Sequence, residues 1–197
     1  MFARGAGIPM VSTTVPFIMA ITITVYNPNF LPVAMLLMVF PLISVVFFRD
    51  PERPISSGIA CPADGKIIKV EEDRLTIYMG LRNVHVNRSP VSGKIIRIKH
   101  IPGSHRPANI GDTSGNEKQI FSIQTQNGVV EVTQIAGVLA RRTVSYVKLG
   151  DMVQKGQRIG MIRFGSRVDI KFPVKIKITV KHGEAVKAGS TKIGEWI

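Results

Sequence analysis

The sequence predicts a mainly β soluble domain, barrel-sandwich-like in its short strands, that follows an N-terminal transmembrane helical hairpin. Two contrasts lead to this fold class. No Asp, Glu, Lys or Arg occurs between Gly5 and Phe48, whereas charged residues are frequent from Arg49 onward. In that later region, short runs of Val, Ile, Thr and Phe alternate with Gly, Pro, Asn and Asp, which is typical of strands joined by turns. We therefore divide the chain into residues 1–48, a membrane hairpin, and residues 49–197, a β-rich domain long enough to bury its own core.

The hairpin consists of two apolar stretches, residues 8–25 and 30–48, on either side of the turn-like Tyr26-Asn27-Pro28-Asn29. Each stretch approaches the roughly 20 helical residues that cross a hydrocarbon core. A signal peptide is the alternative, but the apolar region is long, a second stretch follows, and no small-residue cleavage site precedes Arg49. We therefore expect two membrane helices.

Basic residues lie at both ends of the hairpin, with Arg4 before it and Arg49, Arg53 and Lys66 after it. Because cytoplasmic flanks of membrane helices carry an excess of Lys and Arg, both ends are expected in the cytoplasm. The β-rich domain is thus predicted to lie on the cytoplasmic face of the cell membrane.

Nine runs after Phe48 are predicted to be strands. They are residues 66–70, 74–79, 94–99, 119–124, 129–135, 143–148, 158–163, 168–172 and 174–180. The one candidate for a helix in this region is Gln134–Arg142, so the domain is expected to consist mainly of short strands.

Two segments of the β-rich domain are repeated. Residues 62–68, Pro-Ala-Asp-Gly-Lys-Ile-Ile, recur as residues 90–96, Pro-Val-Ser-Gly-Lys-Ile-Ile, and the glycine pattern of residues 147–160 recurs in residues 180–194. Such self-similarity predicts two related β units packed together. The pattern resembles biotinyl and lipoyl carrier domains, whose modified lysine lies within Met-Lys-Met or Asp-Lys-Ala, and neither context occurs here. A non-enzymatic biotinyl/lipoyl-like module of a membrane complex is therefore the alternative function.

The formal net charge of +13 predicts an anionic partner. The sequence shows no recognisable nucleic-acid motif and no interleaved aromatic residues, so a lipid surface is preferred and a nucleic-acid binder is the weakest alternative. The single cysteine, Cys61, excludes an internal disulfide framework and fits a reducing compartment. We expect Cys61 to be a small buried residue.

The chemically distinctive pair is Gly165-Ser166, which follows an apolar run. Taken alone, a glycine–serine pair is an ordinary turn. Gly165 has no side chain to shield its carbonyl carbon and can adopt strained backbone angles, so Ser166 Oγ could attack that carbonyl in an N→O acyl shift. Elimination from the resulting ester would leave dehydroalanine, which hydrolyses to an N-terminal pyruvoyl group and ammonia. Serine needs a base and backbone strain for such an attack.

Six motifs occur in an order that points to a known family. They are residues 47–53 (Phe-Phe-Arg-Asp-Pro-Glu-Arg), 62–65 (Pro-Ala-Asp-Gly), 84–90 (Val-His-Val-Asn-Arg-Ser-Pro), 116–118 (Asn-Glu-Lys), 135–142 (Ile-Ala-Gly-Val-Leu-Ala-Arg-Arg) and 164–169 (Phe-Gly-Ser-Arg-Val-Asp). Together they resemble the short phosphatidylserine decarboxylases, including the archaeal archaetidylserine decarboxylases. The resemblance covers Arg49 to about Pro173.

This resemblance implies a pyruvoyl-dependent carboxy-lyase that cleaves itself at Gly165–Ser166 into residues 1–165, the β chain, and residues 166–197, the α chain. Its cofactor would be a covalent pyruvoyl group derived from Ser166, with no metal and no pyridoxal phosphate. The ketone would form a Schiff base with the amine of a serine phospholipid and accept electrons while carbon dioxide leaves, which gives the ethanolamine lipid. The sequence does not distinguish phosphatidylserine from archaetidylserine as the substrate.

The resemblance also implies that Asp64 and His85 belong to the acid–base machinery, in which a carboxylate can orient a histidine and raise its basicity. Longer relatives carry two histidines three residues apart in the matching segment, whereas this chain has His85 and, at the second place, Arg88. The proton step that His85 serves is therefore open.

Four arginines, Arg88, Arg141, Arg142 and Arg167, are candidates for binding the substrate phosphate or carboxylate, because a guanidinium fork suits both groups. Solvated surface charge is the alternative for each. His100 and His105 lie five residues apart without a nearby cysteine or carboxylate, so they are not expected to bind a metal. The implied partners are an anionic serine phospholipid, the membrane, and the two cleaved chains themselves, and a homodimer would be in keeping with the resemblance.

Overall fold

The computed structural model describes residues 1–104, 113–137, 143–162 and 166–197, with Ser166 described by its backbone. Two compact units make up the chain, residues 1–52 and residues 53–197. This division falls a few residues after the predicted boundary at Phe48. The predicted fold class is confirmed, since two apolar helices precede a unit of short antiparallel strands.

The helical unit contains α1, Gly7–Tyr26, and α2, Leu31–Phe47, joined by a 3-10 turn at Pro28–Phe30. Both helices end within one residue of the predicted ranges. Asn27 fixes the turn, because its Oδ1 accepts a hydrogen bond from Asn29 N at 3.1 Å. Thr13 Oγ1 and Ser44 Oγ lie 3.1 Å apart and link the two helices.

Most apolar side chains of the two helices are exposed, among them Ile8 at 85% and Leu36 at 66%. Residues 7–26 and 28–47 form two 20-residue helical segments, and 18-residue windows within them have mean hydropathies of 1.8 and 2.6. Segments of this length and composition are able to cross a membrane. Contiguous apolar surface of this kind is uncommon on soluble monomers, so both helices are candidates for membrane spans.

Fourteen strands lie within the described part of the β unit. They are β1 (Ile59–Ala60), β2 (Gly65–Val70), β3 (Arg74–Met79), β4 (Val86–Arg88), β5 (Gly93–Ile101), β6 (Lys118–Thr125), β7 (Gly128–Ala136), β8 (Thr143–Ser145), β9 (Met152–Val153), β10 (Arg158–Ile162), β11 (Ser166–Lys171), β12 (Ile176–Ile178), β13 (Ala185–Val186) and β14 (Lys192–Trp196). Each of the nine predicted strands overlaps one of them, but the predicted strands 143–148 and 174–180 are extended only at Thr143–Ser145 and Ile176–Ile178.

The strands form one large sheet and two small ones, and all pairs are antiparallel. The large sheet has the order β13-β2-β3-β11-β7-β6-β5-β9, and the small sheets have the orders β1-β14-β12 and β4-β10-β8. Apolar side chains from all three sheets meet in one core, which includes Leu75, Ile77, Phe121, Val168 and Ile193. Burial of this apolar area is the main force that holds the sheets together.

The prediction of a helix at Gln134–Arg142 is wrong for its first part. Gln134, Ile135 and Ala136 are the last residues of β7, which is hydrogen-bonded to β6 on one side and β11 on the other. Pairing on both sides overrides the weak local preference for a helix. Residues 138–142 lie outside the described residues.

The predicted duplication is visible in the sheet order, which reads the same from both ends if β13, β2, β3 and β11 are equated with β9, β5, β6 and β7. The registers agree as well. Gly65 pairs with Val186 as Gly93 pairs with Val153, and the small sheets β1-β14-β12 and β4-β10-β8 match strand for strand. One repeat, which we call the inserted repeat, runs from β4 to β10. The other, the split repeat, consists of β1–β3 and β11–β14.

The two repeats differ at one turn. In the inserted repeat, Thr125 pairs with Gly128, and residues 126 and 127 join β6 to β7 as a tight turn. The equivalent pair in the split repeat is Met79 and Ser166. There the turn is open, which means that no short loop joins the two strands. The whole inserted repeat lies between Met79 and Ser166 in the sequence.

The large sheet ends in the two-residue strands β13 and β9, so beyond those short pairings β2 and β5 form its margins. Both margins are irregular at equivalent places. The register shifts between Ile67 and Lys69 in β2 and between Ile95 and Arg97 in β5, which is the signature of a β-bulge. The side chains of Lys69 and Arg97 are exposed at these edges.

Candidate active site

Ser166 is the first residue of β11, a central strand of the large sheet. Its backbone is in register with Met79 of β3 on one side and Ala136 of β7 on the other, and both neighbours are fully buried. Gly165, the other residue of the predicted cleavage site, lies outside the described residues. Position 166 is therefore fixed by two strands immediately after the bond that is predicted to break.

Two of the family-like motifs meet beside Ser166. Asn116 Nδ2 donates a hydrogen bond to the Ala136 carbonyl oxygen at 2.7 Å, and Ala136 N donates to the Glu117 carbonyl oxygen at 3.0 Å. Glu117 Oε1 accepts hydrogen bonds from Thr143 N at 3.3 Å and Thr143 Oγ1 at 3.2 Å. Asn116 and Glu117 thus hold the strand end next to position 166. Their motif resembles the family, but the sequence alone did not predict a role for either residue.

His85 is fully buried at the end of the segment that follows Met79. Its Nδ1 lies 2.9 Å from the Asn83 carbonyl oxygen. Because a carbonyl oxygen only accepts, Nδ1 must carry the proton, and Nε2 is the basic nitrogen of the neutral ring. The His85 carbonyl oxygen accepts a hydrogen bond from Ile162 N at 3.2 Å. His85 therefore lies against the last residue of β10, three positions before Gly165.

Asp64 is buried and anchored by several donors. Arg53 donates hydrogen bonds to both carboxylate oxygens. Its Nη1 donates to Oδ1, and its Nη2 donates to Oδ2 at 2.8 Å. Ala188 N donates to Oδ1 at 2.9 Å, and Val84 N donates to Oδ2 at 3.4 Å. Since Val84 precedes His85, the structure places Asp64 against the backbone that carries the histidine. The role of Arg53 was missed in the sequence, where it was assigned only to the membrane flank.

Asn87 of β4 and Gln134 of β7 form a buried pair of polar side chains. Gln134 Nε2 donates to Asn87 Oδ1 at 2.7 Å, and both residues are fully buried. Gln134 is in register with Val168 of β11, and Asn87 Nδ2 lies 3.7 Å from Met79 Sδ. This hydrogen bond connects β4, which follows His85, to the strand that supports Ser166.

The four predicted substrate arginines are not equivalent. Arg88 is buried, and its Nη1 donates to the Gly156 carbonyl oxygen at 3.2 Å. Arg167 forms a two-pronged ion pair with Asp169, with Nε at 2.7 Å and Nη2 at 2.9 Å from the carboxylate oxygens. Arg141 and Arg142 lie outside the described residues. Substrate binding by these arginines stays a prediction.

Cys61 is fully buried, as expected, and its Sγ donates a hydrogen bond to the Ala63 carbonyl oxygen at 3.1 Å. Burial raises the pKa of this thiol to about 12, so Cys61 is a packed residue and not a nucleophile at neutral pH. His100 Nδ1 lies 4.0 Å from Glu117 Oε1, and His105 lies outside the described residues. Among the described residues, no group of three His, Cys, Asp or Glu side chains could hold a metal ion.

The fold and the position of Ser166 define a class of protein in which a β-rich domain carries a candidate self-cleavage site at the start of a central strand. Residues 40–194 match the family model described as phosphatidylserine decarboxylase. Because this match covers most of the chain, the protein belongs to the phosphatidylserine decarboxylase family. The predicted family and the predicted enzyme class, a carboxy-lyase, are confirmed.

Several relatives support the short, archaeal-type subfamily. A protein of Methanosarcina mazei named as an archaetidylserine decarboxylase proenzyme is 48% identical over 79% of this chain and 76% of its own length. The corresponding protein of Methanosarcina acetivorans is 51% identical over 76% and 73%. A phosphatidylserine decarboxylase proenzyme of Syntrophus aciditrophicus is 40% identical over 91% and 94%.

Proposed function

We propose that this protein decarboxylates a serine phospholipid to the corresponding ethanolamine lipid, with a pyruvoyl group that it makes from its own Ser166. Membership of the family supports the reaction class. The observation that carries the assignment to Ser166 is its register between Met79 and Ala136, directly after the predicted cleavage site.

In the processing reaction, Ser166 Oγ attacks the Gly165 carbonyl carbon, and the peptide bond is converted to an ester. Loss of the Cα proton and cleavage of the Cβ–Oγ bond release the Gly165 carboxylate and leave dehydroalanine. Water then replaces the nitrogen as ammonia, which leaves an α-keto group at the start of β11. The strand pairing supports this proposal, because it keeps residue 166 in place after the bond to residue 165 has broken.

The surroundings of position 166 suit an α-keto group. Met79 and Ala136, the two residues in register with position 166, are buried, and an apolar, water-poor site strengthens electrostatic interactions with a reacting group. When present, the α-keto group supplies an electron sink for decarboxylation. The chain supplies the proton transfers, and His85 Nε2 is the proposed carrier because Nδ1 is occupied by the Asn83 carbonyl oxygen.

Asp64 is proposed to position this machinery. The carboxylate is held by Arg53 and in turn accepts a hydrogen bond from Val84 N. Through that contact it fixes the segment that carries His85. The ion pair is largely buried, with side-chain exposures of 13% for Arg53 and 8% for Asp64, so the loss of either partner would leave a charge without compensation.

The helical unit is proposed to be a membrane hairpin that places the β unit on the cytoplasmic face. Support comes from two 20-residue apolar helical segments with exposed side chains. A membrane anchor would keep the enzyme on the surface that contains its lipid substrate.

Ser166→Ala tests the cleavage. The wild-type chain is expected to give two fragments on a denaturing gel, with masses of residues 1–165 and 166–197 and a hydrazine-reactive group on the shorter one. The Ser166→Ala chain is expected to stay intact and inactive, whereas Ser145→Ala, a serine in another strand, should be cleaved normally. A cleaved, active Ser166→Ala protein would refute the proposal, and an intact wild-type chain with a modified lysine would indicate the carrier alternative.

His85→Ala and Asp64→Asn test the machinery. We expect each to lower the rate of cleavage or of decarboxylation by roughly 100-fold or more, since positioned proton transfer contributes about 10²–10⁴-fold. His182→Ala is the matched control, because His182 is an exposed histidine on the segment before β13. Wild-type rates for His85→Ala in both assays would remove His85 from the site. The same assays with matched phosphatidylserine and archaetidylserine would identify the lipid tail that is preferred.

A further inference from the structure

A cavity of about 720 Å³ opens beside the closed turn of the inserted repeat, and Ser166 does not line it. It is lined by the closed turn at residues 126 and 127, by the strand start Ser92-Gly93-Lys94, and by Met152, Lys155 and Trp196. A cavity of this size suits a small ligand.

The cavity occupies the position in its repeat that the candidate active site occupies in the other. In the split repeat, Asp64 Oδ1 accepts a hydrogen bond from Ala188 N at 2.9 Å; in the cavity, Ser92 Oγ accepts one from Lys155 N, also at 2.9 Å. Trp196 ends β14 at the place where Ile162 ends β10. The cavity is therefore a second copy of the backbone framework that surrounds Ser166.

This second copy lacks the groups for the proposed chemistry. Gly128 stands at the position of Ser166, Ser92 stands at the position of Asp64, and the turn between Thr125 and Gly128 is closed. The cavity can therefore bind a ligand without cleaving itself or forming a keto group.

The lining favours an anion. It contains two lysines, Lys94 and Lys155, and the side-chain amides of Gln124, Gln126 and Asn127, but no Asp or Glu. Lys155 Nζ donates one hydrogen bond to the Gly58 carbonyl oxygen at 3.0 Å, which leaves its other two protons available. Lysine is a common ligand for phosphate. The apolar surfaces of Met152 and Trp196 would contact the non-phosphate part of such a molecule.

We propose that this cavity is a second, non-catalytic binding site for a phosphate ester of the kind found in a phospholipid headgroup. The choice of ligand rests on the proposed function, because a phosphate ester is the anionic group of the proposed lipid substrate. Free phosphate and a lipid headgroup would use the same lysines, so the experiment must separate them.

Trp196 gives a direct readout, since it is the only tryptophan of the chain and lines the cavity. Full-length Ser166→Ala protein in neutral detergent would be titrated with glycerophosphoserine, inorganic phosphate or free serine while Trp196 emission is recorded. We expect a saturable change with glycerophosphoserine and none with free serine. Equal affinity for inorganic phosphate would identify a general phosphate site, and weaker affinity would identify a headgroup site.

The double variant Lys94→Gln/Lys155→Gln, made in the Ser166→Ala chain, should weaken binding at least ten-fold. Lys99→Gln/Lys181→Gln is the matched control, because it removes the same charge from exposed lysines that do not line the cavity. Unchanged affinity in the first variant, or no saturable emission change in the parent, would overturn the proposal. Failure of the proposed function would appear separately, as an uncleaved wild-type chain.

Discussion

At the scale of single residues, the inserted repeat differs from the split repeat in a buried polar pair. Asn87 and Gln134 are hydrogen-bonded at 2.7 Å, whereas Ile59 and Phe172 occupy the equivalent positions in the split repeat and belong to its apolar core. Gly160 leaves the space that Gln134 needs, since a Cβ there would lie 3.0 Å from Gln134 Nε2. Gln134 of this pair belongs to β7, the strand that pairs with β11 and so with Ser166.

Gln134→Leu should destabilise the protein by about 1–3 kcal/mol, because Asn87 Oδ1 would lose its donor in a buried environment. The double variant Asn87→Leu/Gln134→Leu should recover part of this loss, since both polar groups are then removed. Denaturant unfolding of the single and double variants in the Ser166→Ala chain would measure the coupling. Strictly additive losses would show that the hydrogen bond does not stabilise the fold.

Cys61 predicts a specific dependence of stability on pH. Burial raises the pKa of its thiol from 9.0 to about 12, so the folded state retains this proton when the unfolded state has lost it. Stability contributed by the protonated thiol is complete below pH 9 and is lost as the pH rises towards 12, by about 1.4 kcal/mol per pH unit.

Cys61→Ala should remove this slope. Between pH 8 and pH 10.5, the free energy of unfolding of the parent protein should fall by about 2 kcal/mol more than that of the variant. Denaturant titrations at the two pH values provide the measurement, and lysines and tyrosines cancel in the comparison. Equal losses in both proteins would mean that Cys61 reaches water in the folded state.

The short motifs predict Ser166, His85 and Asp64 as site residues, but they could not reveal what holds these side chains. Asp64 is bound by Arg53, 11 residues earlier, and by Ala188, 124 residues later. Contacts between residues so far apart depend on the folded arrangement, and local patterns carry no signal for them. For the same reason, the sequence did not predict the hydrogen bond between Asn87 and Gln134.

At the scale of elements, strands of five or more residues with dense β-branched or apolar residues were predicted well. The missed strands were β1, β4, β9, β13 and β14. Four of these have only two or three residues, too few to show an alternating pattern. β14 contains Gly194 and Glu195, residue types that are depleted in strands. Pairing with neighbours, and not local preference, makes these segments extended.

The position of β11 predicts that cleavage does not separate the chains. Residues 166–197 would contribute β11 between β3 and β7, and β14 beside β1. Fragments of the wild-type protein should therefore elute together on size exclusion in detergent and separate only in denaturant. Independent elution of the short fragment under native conditions would contradict this role of β11.

At the scale of the whole molecule, the chain has two units, and the helical unit exposes most of its apolar side chains. The β unit contains its own core and retains Arg53, the partner of Asp64. A chain that lacks residues 1–52 should thus keep its β-sheet circular dichroism and a cooperative unfolding transition. It should no longer sediment with neutral lipid vesicles, whereas the full chain should. Sedimentation of the shortened chain with neutral vesicles would show that the helical unit is not the anchor.

The duplication was predicted from the repeated glycine patterns, but the open turn was not. Sequence similarity between β2 and β5 shows that the repeats are related, yet it does not show which strands pair across them. The pairing of Met79 with Ser166 follows from the sheet order. The candidate site lies where the inserted repeat interrupts the split repeat. Its position depends on the order of the strands in the sheet, which local sequence patterns do not show.

The irregular margins that β2 and β5 form in the large sheet have a consequence for molecules at high density. Enzymes confined to a bilayer meet one another far more often than they would in free solution. A regular, unpaired strand edge could then pair with the edge of a neighbouring copy and extend the sheet from one molecule to the next. A kink followed by a cation, at Lys69 on one margin and Arg97 on the other, makes such stacking unfavourable. Crowded molecules would then stay separate and able to diffuse.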